Sequence, residues 1–479
     1  MSGLSKPELW PPGAGLPAAR ALAIACGIGI WSAALALAPG AAAKLALIIP
    51  ILFFGLGWWC AMRPHRWLVL FFPCLLLTPP IPAPVGDAGL HLAPALALIG
   101  VLVGILRLPD WNPRLSALAL AFGLFVGVLL VSSGLGALYS GGDVGLGSLL
   151  RVALFSIAVY VFFYVSAGPA ERMRNPLSFA RVLFLIGCAA ALFACADFYF
   201  QFPAPAGFEE QFVWLDEGVL RRAQGLFYDA STLGNFCAFF LVMIAVALCR
   251  PRQDSPCSRP LLVAGGAIFT VALMLSYSRG SVVNVAVALG TLAILRRRKI
   301  LTPLLLAGLV LGVVALAVQA ALPSFSISYW DRIANSFQYF WYSPNGVLSG
   351  RPQHWSALAG FLLGQPWHAV LGVGYKTLPY SSFAGEPIVA DNTYLSLLVE
   401  TGIAGLAAFV ILNLAILKYS LRAARSAGLS AGFFGEWMFC FWAGEMVQML
   451  SGDLITYWRV LPVYFWVLGT AVREAQRKP

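Results

Sequence analysis

Ala390-Asp-Asn-Thr-Tyr-Leu-Ser-Leu-Leu-Val-Glu-Thr-Gly402 is where this chain returns to an apolar run after a long interruption. From Leu322 to about Ala390 the sequence is rich in Trp, Tyr, Arg and Gly, in a chain that is otherwise 60% hydrophobic and only 11% charged. Ordered loops of such length are uncommon and usually functional. The interruption is therefore the expected seat of the active site, and the apolar runs on either side of it decide the fold.

Mean hydropathy is +0.82, and apolar runs long enough to cross a ~30 Å hydrocarbon core recur from end to end. They fall at about 21–38, 45–62, 67–85, 90–107, 115–138, 150–168, 180–201, 232–249, 261–278, 281–295, 301–321, 395–417, 432–450 and 457–472. The chain reads as an all-α polytopic membrane protein of about fourteen transmembrane helices. The net charge of +11 encodes orientation rather than nucleic-acid binding. With the N-terminus inside, 22 of the 31 Lys and Arg fall at cytoplasmic ends, the positive-inside pattern. Both termini are then cytoplasmic. The acids sort mostly to the outside, among them Glu209, Glu210, Asp216, Glu217, Asp229, Asp331, Asp391 and Glu400.

The expected organisation is a polar cytoplasmic tail (1–20), eleven spans over 21–321 with a short external segment at 202–231, a large external loop at 322–394, then three spans and a cytoplasmic tail over 395–479. The first span ends in Ala36-Leu-Ala38, which mimics a signal-peptidase site, but its removal would break the charge parity, so it reads as an uncleaved signal anchor. In the loop, Trp330, Ile333, Phe337 and Phe340 have helical spacing, which predicts an amphipathic surface helix over 328–342. A second helix is expected from about Gln353 to Leu363, stopped by Gly364-Gln-Pro366, followed by a glycine turn at Leu371-Gly-Val-Gly-Tyr375. The nine cysteines lack zinc-like spacing, and neither disulfides nor a Cys metal site is expected.

Nine cations remain on the external side against the orientation rule: Lys44, Arg151, Arg221, Arg222, Arg279, Arg332, Arg351, Lys376 and Arg459. Leu275-Ser-Tyr-Ser-Arg-Gly280 turns directly into the next helix and leaves Arg279 at the membrane boundary, where a charge is costly. It reads either as a snorkelling residue or as an anion clamp, since the guanidinium fork suits phosphate oxygens. Arg221 and Arg222 precede a span and read either as a solvated face or as part of that clamp. Asp391 and Asn392 both stand where a helix N-cap is preferred, yet a carboxylate at a helix entrance near arginines could also serve as a general base. Glu400 and Glu445, as intramembrane acids, are functional candidates by default, with structural pairing to Arg459 or another outer arginine as the favoured reading. His354 and His368 form no metal motif.

Together, Arg222-Ala-Gln-Gly-Leu-Phe227 before a span, Ser276-Tyr-Ser-Arg-Gly280 at an outer hairpin, and a loop carrying Gly350-Arg351, Trp355, Leu371-Gly-Val-Gly-Tyr375 and Asp391-Asn-Thr-Tyr-Leu395 with Glu400-Thr-Gly402 resemble the bacterial O-antigen ligase and O-antigen polymerase superfamily. The resemblance covers roughly residues 220 to 420. It implies a GT-C-like membrane glycosyltransferase with a partly helical periplasmic loop. The enzyme would use a glycan carried on undecaprenyl diphosphate, need no cofactor or metal, and sit multi-pass in the bacterial inner membrane with its active site facing the periplasm. The acceptor would be a growing glycan or the lipid A core, with a flippase and a chain-length regulator as further partners. Carried over residue by residue, the donor diphosphate falls to Arg222, Arg279 and Arg351 and the base to Asp391, supported by Arg221, His354, Tyr375, Asn392, Tyr394 and Glu400. Where the ligase branch has His before Asn, this chain has Asp391-Asn392, which favours a polymerase of O-antigen or exopolysaccharide over a ligase. A lipid-linked sugar transporter would carry polar or broken helices at the midplane, whereas here the unexplained charge gathers at one face.

Overall fold

The computed structural model describes residues 37–80, 91–113, 115–169, 175–203, 211–215, 218–296, 350–381, 387–426 and 428–476, with scattered positions between. The expected tail at 1–20 lies outside the described residues, as do Glu209, Glu210, Asp216, Glu217 and Arg332, and the runs at 21–38 and 301–321 and the surface helix at 328–342 are described only at scattered positions.

The chain divides at Met62 into two units. The first contains α1 (Gly40–Met62), an apolar helix with Pro50 inside it. In the second, apolar helices follow one another with short connections: α2 (His65–Leu77), α3 (Leu92–Leu106), α4 (Ala117–Ser140), α5 (Gly142–Ser166), α6 (Pro176–Phe200), α7 (Ala230–Leu248), α8 (Arg259–Leu275) and α9 (Arg279–Arg296). After the stretch that the structure does not describe come two loop helices, α10 (Arg351–Gly364) and α11 (Trp367–Leu371). The chain ends in α12 (Thr393–Ala424), α13 (Leu429–Gln448) and α14 (Leu461–Gln476). Six of these, α4, α5, α6, α7, α9 and α12, are long and apolar enough to cross a bilayer. The protein is a multi-pass membrane protein, overwhelmingly helical.

Local chemistry sets the ends. Ser116, Asn175 and Asp229 cap α4, α6 and α7 with side-chain oxygens on the first free amides, the groups a helix start leaves unsatisfied. Helix α2 stops at Leu77, well short of the expected 85, because Pro79 and Pro80 follow and cannot continue it. One element departs from an all-α chain. Phe212–Leu215 and Gly218–Arg221 pair as an antiparallel hairpin, β1 and β2, with Phe212 opposite Arg221 and Leu215 opposite Gly218. Its Phe, Val and Trp residues suit a pleated strand.

Helices α13 and α14 form the interior, α13 packing on α7, α9, α12 and α14, and α14 on α5. Every residue of α14 from Leu461 to Arg473 is buried. Phe239 and Phe240 of α7, Trp437 and Phe441 of α13 and Tyr464 of α14 make a chain of ring contacts at 4.3–6.0 Å. Polar contacts give the helices their direction. The C-terminal ends of α7 and α9 meet early in α13, where Glu436 accepts from Arg250 at 3.1 Å and Arg296 at 2.6 Å. Their N-terminal halves meet late in α13, where Glu445 Oε2 accepts from Asn235 at 2.6 Å and Asn284 at 2.8 Å. So α7 and α9 run parallel, α13 runs against both, and Arg279, Arg222 and the start of α12 share the end opposite the Arg250–Glu436–Arg296 cluster.

Glu445 thus differs from expectation. Its partners are amides, with Gln448 accepting from the same two asparagines and Tyr464 donating to Asn235. Arg459, its expected partner, donates instead to the carbonyls of Leu75, Thr78 and Leu226. Free carbonyls at the C-terminal end of a helix such as α2 attract a cation.

Candidate active site

Helix α12 begins with a division of labour between neighbours. Asn392 is the N-cap, its side chain accepting from the Leu395 amide at 3.0 Å. Thr393 donates its hydroxyl to the Gly452 carbonyl at 2.7 Å and its amide to Met449, while the Tyr394 hydroxyl reaches Met446 at 3.0 Å. Thr393 and Tyr394 thus fasten the helix start to the end of α13 and the residues just after it. Asp391 does none of this work. Its backbone sits at φ 44°, a left-handed conformation that Asp tolerates better than most residues. Its carboxylate, 43% exposed, receives Arg351 Nε at 3.1 Å. The choice between base and cap that the sequence leaves open falls to Asn392 for the cap.

One face of α10 holds this strand in place. Arg351, His354 and Trp355, at i, i+3 and i+4, contact three consecutive residues: Arg351 the Asp391 carboxylate, Trp355 Nε1 the Ala390 carbonyl at 2.7 Å, and His354 Nδ1 the Val389 carbonyl at 3.2 Å. One turn further, Leu358 enters a small core with Val373, Leu378, Ile388, Ala390 and Val399. The aromatic and aliphatic contacts fix α10. The half-exposed ion pair adds on the order of 1 kcal/mol, so Arg351 can exchange its partner at little cost.

Glycines let the loop close on the membrane helices. Helix α12 has 32 residues and breaks at Gly402, whose φ of 68° interrupts it. A break frees carbonyls, and the loop supplies donors: Val373 N to Val399 O at 3.1 Å, Gly374 N to Glu400 O at 2.9 Å, and from α4 the Ser132 hydroxyl to Glu400 O at 2.9 Å. A Cβ at Gly372 would lie 2.3 Å from the Glu400 carbonyl oxygen, and one at Gly402 2.2 Å from that of Val370. Both positions have positive φ, so the Gly-Val-Gly turn and the Glu-Thr-Gly break require glycine twice over.

Two expected supporting residues belong to this scaffold. The Glu400 side chain is buried and accepts from Ser396 Oγ at 3.0 Å and the Leu378 amide at 3.4 Å, not from an arginine. Tyr375 is buried as well; burial, with the Glu400 charge, pushes its phenol well above the ordinary range. Lys376, buried beside it, forms an ion pair with Asp453 of the α13–α14 connection. Burial pulls the ammonium below its usual value, while the Glu400 and Asp391 carboxylates act the other way.

The second group of arginines gathers at the α8–α9 hairpin. Arg222 Nε donates to the Ser276 carbonyl at 2.8 Å, and Ala223 N to the Leu275 carbonyl at 3.0 Å, which brings Arg222 onto the turn that carries Arg279 at the start of α9. Both side chains are half-buried. Arg221 is not with them. It is buried against Asp197 of α6 at 2.6 Å and donates to the Phe202 carbonyl, closing the base of the hairpin segment. The two arginine groups border one short stretch. A Cβ at Gly280 would meet Ser451 Oγ at 3.1 Å, and Thr393 binds the neighbouring Gly452. Residues 448–452 therefore lie between Arg279 and the Asp391 strand.

Residues 264–410, from within α8 through the loop to the middle of α12, match the family model described as O-antigen ligase. The match covers less than half of the chain, and over that stretch the protein is similar to the O-antigen ligase and polymerase superfamily. The matched stretch contains Arg279, Arg351 and Asp391 and both glycine elements, while Arg222 lies ahead of it. Superfamily members are glycosyltransferase-like enzymes, and the class implies a lipid-linked glycan donor and a glycan acceptor. No curated protein matches the chain.

Sequence reading missed Thr393, Lys376–Asp453 and the Asn235–Asn284–Gln448 knot. An acid at Asp453 and a lysine at 376 on the same external side were the available signal for the ion pair. Scattered mid-helix amides carry no periodic signal at all.

Proposed function

We propose that this protein is a periplasmic-face glycosyltransferase that moves a glycan from undecaprenyl diphosphate onto a sugar hydroxyl, polymerising O-antigen or exopolysaccharide repeat units. One observation carries the reading. The Asp391 carboxylate is relieved of capping by Asn392, half exposed, and oriented by Arg351 at the same end of the bundle as Arg222 and Arg279.

In the reaction, Asp391 takes the proton of the acceptor hydroxyl, whose oxygen forms a bond to the anomeric carbon of the donor sugar. The bond from that carbon to the phosphate oxygen breaks, and undecaprenyl diphosphate leaves with the electron pair. Arg222 and Arg279 stabilise the charge developing on it, and Arg351, weakly held by Asp391, can turn to the same anion. His354 and Trp355 position the Asp391 strand without touching the reacting atoms. Chemistry of this kind runs on fixed charges, so the design needs neither cofactor nor nucleotide sugar.

The alternative within the class is transfer to the lipid A core, which the description of the matched family favours. Asp391 in place of His at the re-entry weighs against it. Deleting the gene separates the two: single-repeat capped lipid A core supports the polymerase, whereas long polymer accumulating on undecaprenyl diphosphate supports the ligase. Unchanged surface glycan together with unflipped donor would instead point to a transporter and overturn the reading.

A further inference from the structure

The α10–α11 corner presents large apolar side chains outward. Leu363 is 84% and Val370 60% exposed, and Trp367 and Leu371 are exposed beside them. A water-facing loop rarely leaves such a contiguous apolar patch uncovered.

The position of this corner identifies what covers it. The ring of Tyr139, in the last turn of α4, lies 6.3 Å from the rings of both Trp367 and His368. Gly374 packs against Gly136 so closely that a Cβ on it would sit 2.3 Å from the Gly136 Cα. Gly136 is four residues short of the end of α4, about 6 Å inside it at 1.5 Å per residue. The corner therefore lies level with the final turns of a membrane span. On that span Val131 and Leu138 face outward, 69% and 81% exposed, and Trp367, Val370 and Leu371 are exposed at the level of its last turns.

The backbone at this depth is supplied with partners, as a lipid environment demands. Gly372 N donates to His368 O at 2.8 Å, and the next two amides go to Val399 O and Glu400 O of α12. His368 is tucked inward, stacked on Phe361 at 5.1 Å, so the polar ring of α11 avoids the outer face. Trp367 and Tyr139 at one level match the aromatic belt of a membrane interface.

We infer that residues 363–371 are embedded in the bilayer leaflet on the Asp391 side, as a re-entrant anchor whose partner is phospholipid at the headgroup and acyl boundary. The anchor pins α10, and with it Arg351, at the lipid surface. That last consequence rests on the glycosyl-transfer reading; the embedding does not.

The test places a photoreactive benzophenone side chain at Val370 or at Leu371 in the full chain, reconstituted in nanodiscs of phosphatidylethanolamine and phosphatidylglycerol. Val131 serves as the lipid-facing control and Gln353, exposed on α10, as the water-facing one. Phospholipid adducts at 370 and 371 should reach the level seen at Val131 and exceed Gln353 by at least about tenfold. Lipid adducts at Val131 but only background at both loop positions would overturn the proposal. Because the readout is a lipid adduct, a failure of the assigned reaction leaves it intact.

Discussion

Arg351 Nε and the Asp391 carboxylate meet at 3.1 Å although 40 positions of sequence separate them. The pair joins the first residue of α10 to the residue just ahead of the α12 cap, and it sets the geometry of the only half-exposed carboxylate tied to the re-entry strand among the described residues.

The first expectation concerns Asp391 itself. Asp391→Asn keeps shape and hydrogen bonding but cannot accept the acceptor proton, so transfer should fall by about 10²–10⁴-fold. Because Asn392 carries the cap, protein level and melting temperature should stay at wild-type values. Asn392→Ala should do the opposite, costing about 1 kcal/mol of stability with a far smaller loss of rate. Full-length polymer in cells carrying Asp391→Asn would sink the assignment of the base.

Arg351 tests the clamp. Arg351→Lys retains the charge but loses the planar fork, and Arg351→Ala removes both. Initial rates on a lipid-linked donor should rank wild type, Lys, Ala, while thermal stability shifts little because the half-exposed pair contributes on the order of 1 kcal/mol. Equal rates for all three would show that Asp391 works without its partner. Arg279→Ala should also abolish polymer, with insertion of the protein unchanged.

Much of this architecture was legible because a membrane protein writes its helices in hydropathy. The runs at 115–138, 180–201 and 232–249 became α4, α6 and α7 to within a few residues. Errors arose where a helix end depends on something other than apolarity. Helix α2 yields to Pro79 and Pro80, and the 202–231 segment contains a hairpin whose strands are too short for a periodic signal. For the candidate site, the motifs singled out Asp391, Arg351, Arg222 and Arg279, and the structure brings these four to the same end of the helix bundle. The structural duties of Arg221, Glu400 and Tyr375 were not readable, since each is decided by a partner in another element: Asp197, the Leu378 amide and the Glu400 charge.

Gly372→Ala and Gly402→Ala address the join between loop and membrane helix. Each puts a Cβ within 2.3 Å of a backbone oxygen at positive φ, and the strain alone is worth about 1–3 kcal/mol. Relief requires the 371–374 turn to leave α12, which should expose 365–390 to limited proteolysis and reduce transfer together. A protease-resistant loop in both variants would remove the glycines from the account.

The final expectation is a double-mutant cycle on Lys376 and Asp453. The loop is tied to the α13–α14 connection by this ion pair, whose lysine is buried and whose aspartate is mostly so. Removing one partner strands the other charge, so Lys376→Met or Asp453→Leu alone should cost about 3–5 kcal/mol. The double variant leaves no unpaired charge and should recover most of that loss, seen as a return of the melting temperature toward wild type. If Lys376 only fastens the loop, transfer should recover with it. If stability returns but the rate stays low, the ammonium serves the substrate as well, because its charge lies close enough to be felt with that of Asp391. Additive single effects would mean that the two residues act independently and that the loop is held by its glycines and α10 alone.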